Sequence, residues 1–404
     1  MKIHILERGF GKKHPYKRLR EALFRPYWFP LENAAHELSD LGVSVQFYKK
    51  LDTSIFNCDL LILSGRTVDE IVADPSSTWQ TRAEFCHDMS LRGTRLIWFD
   101  SRDSAGNCQF DVMPFVDLYL KRQLYRDRSA YLKTLYGGRQ FSDYYHRNYG
   151  VHEEPGGDVA YDVPFRPHEV APDIGSTDKM RVAWGCGAEF HWPLFRQPQA
   201  QIGYFSRRYL QRALRSVYAV PDTIPVSKAR AYDVCALFDH KRYSMKTVGY
   251  QRRIGLEHAM RLETSRKVTG RVPKTEFYNT LADSAVAVSV FGWGEVCYRE
   301  YEATYCGASI LMADMSGIET FPNFYQPGVY YTPFAWDFSD FAEKFDGLMA
   351  NPSARLDMAE NAQQFLVSQW SADGRRAFAE RFLDIVKPVE TRRRNVQELS
   401  AALI

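Results

Sequence analysis

No apolar run in the 404 residues approaches the roughly 18–20 needed to cross a bilayer, so no membrane-spanning helix is expected. The opening MKIHILERGFGKKH has no long apolar core or small-residue cleavage site, and a secretory leader is not expected either. Cysteine is sparse and dispersed: seven residues, at 58, 86, 108, 186, 235, 297 and 306, no two spaced CxxC. That spacing excludes a disulfide framework or a cysteine zinc site and reads as buried thiols in a reducing cytoplasm. Neither sign of charge dominates. Lys and Arg number 52 against 49 Asp and Glu, a net charge of +3, which argues against a dedicated nucleic-acid binder and confines any basic surface to a patch. No DxD triplet is present, and enzymes that clamp a donor diphosphate through a metal commonly present such paired carboxylates. No third glycine follows Gly9-Phe10-Gly11 at dinucleotide-fingerprint spacing, so a nicotinamide site is not expected. No repeat recurs at periods of 20–50 residues.

What is present is ample core material, 45% apolar residues, over a length that suggests two domains. Short apolar strands are read at Lys2–Leu6, Val43–Tyr48, Asp59–Leu63, Thr94–Phe99, Val116–Leu120 and Met180–Trp184, with helices at 31–41 and near 78–91. Residues 121–180 are rich in Tyr, Arg, Gly, Pro and His and read as an irregular insertion, with helices near 122–135. A Pro-containing stretch over 219–230 reads as a linker. Beyond it, strands at Tyr232–Phe238, Val268–Gly270, Ala285–Val290, Ala308–Met312 and Val329–Thr332 alternate with helices at 246–263, 274–283 and 296–306, and three helices close the chain. Continuous apolar strands alternating with helices predict an α/β protein of two doubly wound parallel sheets facing a cleft. The predicted division is 1–225 and 226–404, with ligands at the carboxyl ends of the strands.

Chemistry concentrates in 285–325. A buried strand runs into Phe291-Gly292-Trp293-Gly294, a turn whose glycines allow backbone N–H groups to approach a ligand. A helix expected to open at Glu295–Cys297 would aim its positive end at that turn, a setting suited to phosphate. Glu295, Arg299 and Glu302, spaced four and three, are expected on one helix face. The next strand leads into Asp314-Met315-Ser316-Gly317, a second loop of small residues. Two ordinary βα turns with a solvated acidic face would have the same pattern.

The order Phe291-Gly292, Glu302-Ala303, Gly307, Ile310-Leu311, Ser316-Gly317 and Glu319, followed by Tyr330–Thr332 and two helical stretches over 345–370, resembles the C-terminal domain of GT-B-fold glycosyltransferases, in particular the family-4-like retaining group. The resemblance covers about 230–372 and elsewhere holds only at the level of fold. It implies two Rossmann-like domains, the C-terminal one holding a nucleotide-sugar and the N-terminal one a glycan or lipid-linked acceptor, with retention of anomeric configuration. It also implies that Glu302 binds the donor ribose. Gly294 stands eight positions before Glu302 and Glu295 seven, which departs from the family's paired glutamates, so a sugar-contacting role for Glu295 follows only loosely. The runs FGWGE, YREYEA and DMSGIETFPN look similar to a bacterial subgroup that builds lipopolysaccharide, O-antigen and capsule, next to the Kdo transferases, whose donor is a CMP-sugar. The alternatives are a GT-B-fold nucleotide-sugar epimerase and a non-enzymatic nucleotide-sugar or lipid-binding module.

Other residues have two readings each. Asp233 opens the first strand after the linker. It is either a carboxylate that stabilises an oxocarbenium-like centre or a structural Asp bonding linker amides. Lys241 and Arg242 follow the same strand and either balance donor phosphate or form an exposed basic loop. Asp103, beside Asp100, and Glu153 are candidates for the base that takes the acceptor proton, or else caps and surface charge. Lys12, Lys13, Lys17 and Arg18, set among aromatics, suit an anionic membrane surface or a solvated helix packing its aromatics inward. The expected setting is therefore cytoplasmic, peripheral on the inner membrane, with a nucleotide-sugar as substrate and neither metal, cofactor nor nucleic acid as partner.

Overall fold

The computed structural model describes residues 1–8, 26–153, 175–188, 221–241 and 246–391. The basic stretch with Lys12, Lys13, Lys17 and Arg18, the glycines at 9 and 11, residues 154–174 of the expected insertion, and Arg242 lie outside the described residues.

The first unit runs β1 (Lys2–Leu6), α1 (Phe29–Asn33), α2 (Ala35–Asp40), β2 (Ser44–Tyr48), β3 (Leu60–Ser64), α3 (Gly65–Val72), α4 (Arg82–Ser90), β4 (Arg95–Asp100), β5 (Leu118–Lys121), β6 (Gln123–Tyr125), α5 (Gln140–Tyr149) and β7 (Met180–Val182). Six strands form one parallel sheet in the order β2-β1-β3-β4-β5-β7. The second unit runs β8 (Tyr232–Ala236), α6 (Lys246–Arg261), β9 (Lys267–Thr269), α7 (Lys274–Ala282), β10 (Ser284–Ser289), α8 (Tyr298–Tyr305), β11 (Ser309–Ala313), β12 (Ile318–Thr320), β13 (Thr332–Phe334), α9 (Phe341–Ala350), α10 (Pro352–Ser368) and α11 (Ala372–Thr391). Its five parallel strands lie in the order β13-β11-β10-β8-β9. Both orders reverse beside the first strand of the unit, the doubly wound pattern with its ligand crevice at the carboxyl ends of the strands. The central strands LLILS, SAVAVS and SILMA are buried along their whole length, as a sheet covered on both faces requires.

Two elements join the units. Strand β6 of the first pairs antiparallel with β12 of the second, Gln123 opposite Thr320 and Tyr125 opposite Ile318. The helix expected near 122–135 is absent for that reason: Gln123–Tyr125 forms the seam strand, and 128–132 is a short 3-10 turn. The final helix, α11, returns to the first unit. Arg375 Nε meets Glu37 Oε1 at 2.8 Å, Arg381 donates to the carbonyls of Val182 and Ala183, and Phe378 packs on Trp184. The closing helix therefore belongs by packing to the N-terminal sheet, although the expected division assigned it to 226–404.

Candidate active site

Strand β10 ends at Ser289, and the loop Val290–Val296 carries the chain across the carboxyl edge toward the first unit. Gly294 is a glycine because it abuts the other unit: a Cβ there would collide with the Asp103 carbonyl oxygen. The helix expected from Glu295–Cys297 begins at Tyr298, with Cys297 as its cap and the Glu300 carboxylate accepting from the Cys297 amide at 2.7 Å. Glu295 thus lies in the loop and not on a face shared with Arg299 and Glu302. Its carboxylate is 1% exposed and is spent on the first unit, accepting from Ser104 Oγ at 3.0 Å and the Ala105 amide at 2.9 Å. Burial raises its pKa against those bonds. The donor-binding role expected for Glu295 is corrected to an inter-unit tie. Trp293 has a similar place, its carbonyl accepting from Arg139 Nε at 2.6 Å.

Two guanidiniums converge where β8 and β10 end. Arg299, on the first turn of α8, donates through Nη1 to Ser289 Oγ at 3.0 Å and to the Val290 carbonyl at 3.3 Å, with its Cζ 5.1 Å from the Phe238 ring centre. Arg252, on α6, donates Nε to the Phe291 carbonyl at 3.1 Å and Nη1 to the Asp239 carbonyl at 3.4 Å, 5.9 Å from the same ring. Gly292 lies against Arg252, since a Cβ there would stand 3.3 Å from its Nη2 and 3.0 Å from Cys297 Sγ. Sequence reasoning missed Arg252. The available signal was its place on the helix that follows β8, two turns from its start, in a unit whose ligand edge was already expected. Glu302 follows Arg299 by three positions on α8, is 8% exposed, and accepts from Tyr278 OH of α7 at 2.7 Å. Between them Glu300 is fully buried and hydrogen-bonded to Ser289 Oγ and Tyr325 OH. Burial pushes its pKa up to about 7 against the pull of Arg299.

The remaining expected residues are dispersed. Lys241 is exposed, its amide donating to Asp239 Oδ1. Ser316 turns its hydroxyl onto Asp314, and the carbonyls of Ser316 and Gly317 accept from Arg126, so this loop is part of the seam. Asp103 is 56% exposed at the side chain, beside Arg122 at 3.4 Å. Glu153 caps the start of α6, accepting from the amides of Lys246 and Thr247 and from Thr247 Oγ1. A carboxylate so engaged is a helix cap, and its expected role as base is corrected accordingly. Asp233 is corrected too. It lies at the amino end of β8, opposite the cleft edge, with Arg266 and Thr264 Oγ1 on its two oxygens. The sequence placed it correctly at the start of the strand, and the start is the end away from the ligand edge. Among the described residues no group of three or more His, Cys, Asp or Glu is arranged to hold a metal, and no helix is long and apolar enough to cross a membrane.

Residues 234–384 match a family model described as glycosyl transferase-like, a span that begins on β8 and ends within α11. Comparison with curated proteins finds no match. Among solved structures, the HepE protein of Anabaena in complex with UDP aligns at 11% identity and a TM-score of 0.40, over 96% of this chain and 100% of that one. An alpha-glucosyltransferase in complex with UDP-glucose and DNA aligns at 10% and 0.38, over 96% and 99%. A putative UDP-N-acetylglucosamine 2-epimerase from Listeria monocytogenes aligns at 10% and 0.37, over 96% and 95%. Scores this low carry no argument about the reaction. Residues 234–384 are thus similar to a glycosyl transferase-like family and coincide with most of the second of the two parallel-sheet units.

Proposed function

We propose that the chain transfers a sugar from a nucleotide-activated donor, held at the carboxyl edge of the C-terminal sheet, to a bacterial surface-glycan acceptor such as lipopolysaccharide, O-antigen or capsule, with retention of configuration. The observation that carries the donor site is the convergence of Arg252 and Arg299 on Phe238, with Glu302 three residues from Arg299, inside the matched unit. Guanidiniums suit a diphosphate, because they stay charged and offer paired N–H donors that strengthen as the leaving group gains charge. A carboxylate such as Glu302 can accept two hydrogen bonds from the ribose diol. The role of the first unit is to hold the acceptor, and the seam of Glu295, Arg139 and β6–β12 fixes its distance from the donor, which is the positioning part of catalysis. Donor charge is balanced by arginine, without a metal.

The test is nucleotide release from UDP-, CMP- and dTDP-sugars with and without a lipopolysaccharide or capsule-fragment acceptor, in excess EDTA. Acceptor-dependent release that survives the chelator is the expected result. Interconversion of donor sugars without acceptor would make it an epimerase, and loss restored only by Mg²⁺ or Mn²⁺ would overturn the metal-free reading.

A further inference from the structure

On the side of the C-terminal sheet away from the cleft edge, a cavity of about 240 Å³ opens between the linker, the starts of β8, β10 and β11, and the α9–α10 connection. A single water needs only about 10–15 Å³ of such space, so the cavity has room for a small molecule. Its walls are strongly cationic: Lys228, Arg230, Arg266 and Arg355 face it, with Asp233 as the acid among them. Arg266 pairs with Asp233, and Lys228 reaches Asp283 at 2.5 Å, so two of the four positive charges are balanced. Arg230 is committed to main-chain carbonyls, those of Pro225, Val226, Ala282, Cys306 and Gly307. Arg355 is half-buried and gives Nη1 to the Leu348 carbonyl and Met349 Sδ. Asp233 lies near enough to favour its charge, and no further hydrogen bond to the guanidinium is formed among the described residues.

The geometry points to a second ligand site here, one that takes a small phosphate-bearing anion of about two negative charges, gripped by Arg355 and Arg266 and lying against the linker. The charge balance sets the class of ligand: Lys228, Arg230, Arg266 and Arg355 share only the carboxylates of Asp233 and Asp283, and a phosphate matches both the excess positive charge and the paired donors of a guanidinium. The place sets the consequence. Residues 226–230 form one wall and lead into β8, so an anion bound there ties this segment to the C-terminal sheet. It is separate from the donor edge, because it lies at the opposite ends of the same strands.

The probe is inorganic phosphate, with pyrophosphate as its larger relative, titrated calorimetrically into the full chain with and without saturating UDP. Arg355→Ala should weaken phosphate binding about ten-fold or more, the loss of one charge-assisted contact, and UDP should leave it unchanged. Arg355→Lys, which keeps the charge, should retain part of the affinity and guards against a folding artefact. Absence of phosphate binding, or binding abolished by UDP and indifferent to Arg355→Ala, would overturn the site and assign the heat to the donor edge.

Discussion

At the carboxyl end of the C-terminal sheet, Arg299 gives one nitrogen to Ser289 and Val290 and lies half-exposed against Phe238, while at the amino end Arg230 spends its N–H groups on five main-chain carbonyls. The acids differ in the same way. Asp233 at the amino end is neutralised by Arg266 and accepts from Thr264, whereas Glu302 at the carboxyl end accepts from the Tyr278 hydroxyl. One sheet therefore carries two collections of charge with different duties. At the amino end Arg230 holds the linker and strand starts in place, and Arg355 is the group proposed for a small phosphate. At the reversal of strand order Arg252 and Arg299 gather on the Phe238 ring, the place proposed for the donor.

The largest effect should come from removing Arg299. Arg299→Ala is expected to lower kcat/KM by roughly 10²-fold or more, the scale for deleting one preorganised donor to developing charge, with the melting temperature little changed. An activity within two- or three-fold of wild type would erase the distinction between the two ends of the sheet. Next, Glu302→Ala should weaken free nucleotide and donor alike by about 1.5–3 kcal/mol. Glu302→Gln, which still accepts from Tyr278, separates ribose binding from the loss of that local bond.

Glu300 sharpens the comparison through pH. Its folded pKa, raised by burial to about 7, lies above the ordinary 4.5, so the folded state holds the proton more tightly than the unfolded chain. The stability it contributes is complete below pH 4.5 and is lost as pH rises to about 7. Glu300→Gln should flatten that part of the melting-temperature profile, and an unchanged slope would show that Glu300 does not titrate there. The smallest effect belongs to Asp233→Asn. Turnover should stay near wild type while the melting temperature falls by a few degrees, on the order of 1 kcal/mol for a partly exposed ion pair. A large fall in kcat with folding intact would return Asp233 to the catalytic machinery.

The sequence made the sheets legible because their strands are buried on both faces and read as unbroken apolar runs, as in LLILS and SAVAVS. Helix α3 starts immediately after β3 without a side-chain cap, and α5 is an aromatic-rich stretch of QFSDYYHRNY, so neither carried a local signal. Spacing along the sequence was enough to put Arg299 and Glu302 on one helix, α8. It was illegible where partners lie some 190 residues apart: Glu295 reads as a donor ligand until Ser104 and Ala105 are brought against it. Arg252 and Phe238 likewise meet Arg299 only through the order of β8 and β10. Asp233 failed for a simpler reason, since a strand has two ends and only the carboxyl one faces the crevice.

The central claim is that donor nucleotide binds at the carboxyl edge of the C-terminal sheet, and calorimetry on two variants tests it most directly. The ligand is whichever of CMP, UDP, GDP, dTDP and ADP stabilises the wild-type chain most in a thermal-shift panel. Glu302→Gln and Asp233→Asn are then titrated with it under the same conditions. The account expects Glu302→Gln to lose affinity, roughly ten-fold for one charge-assisted bond, and Asp233→Asn to keep it. Wild-type affinity in Glu302→Gln, or an equal loss in Asp233→Asn, would contradict it.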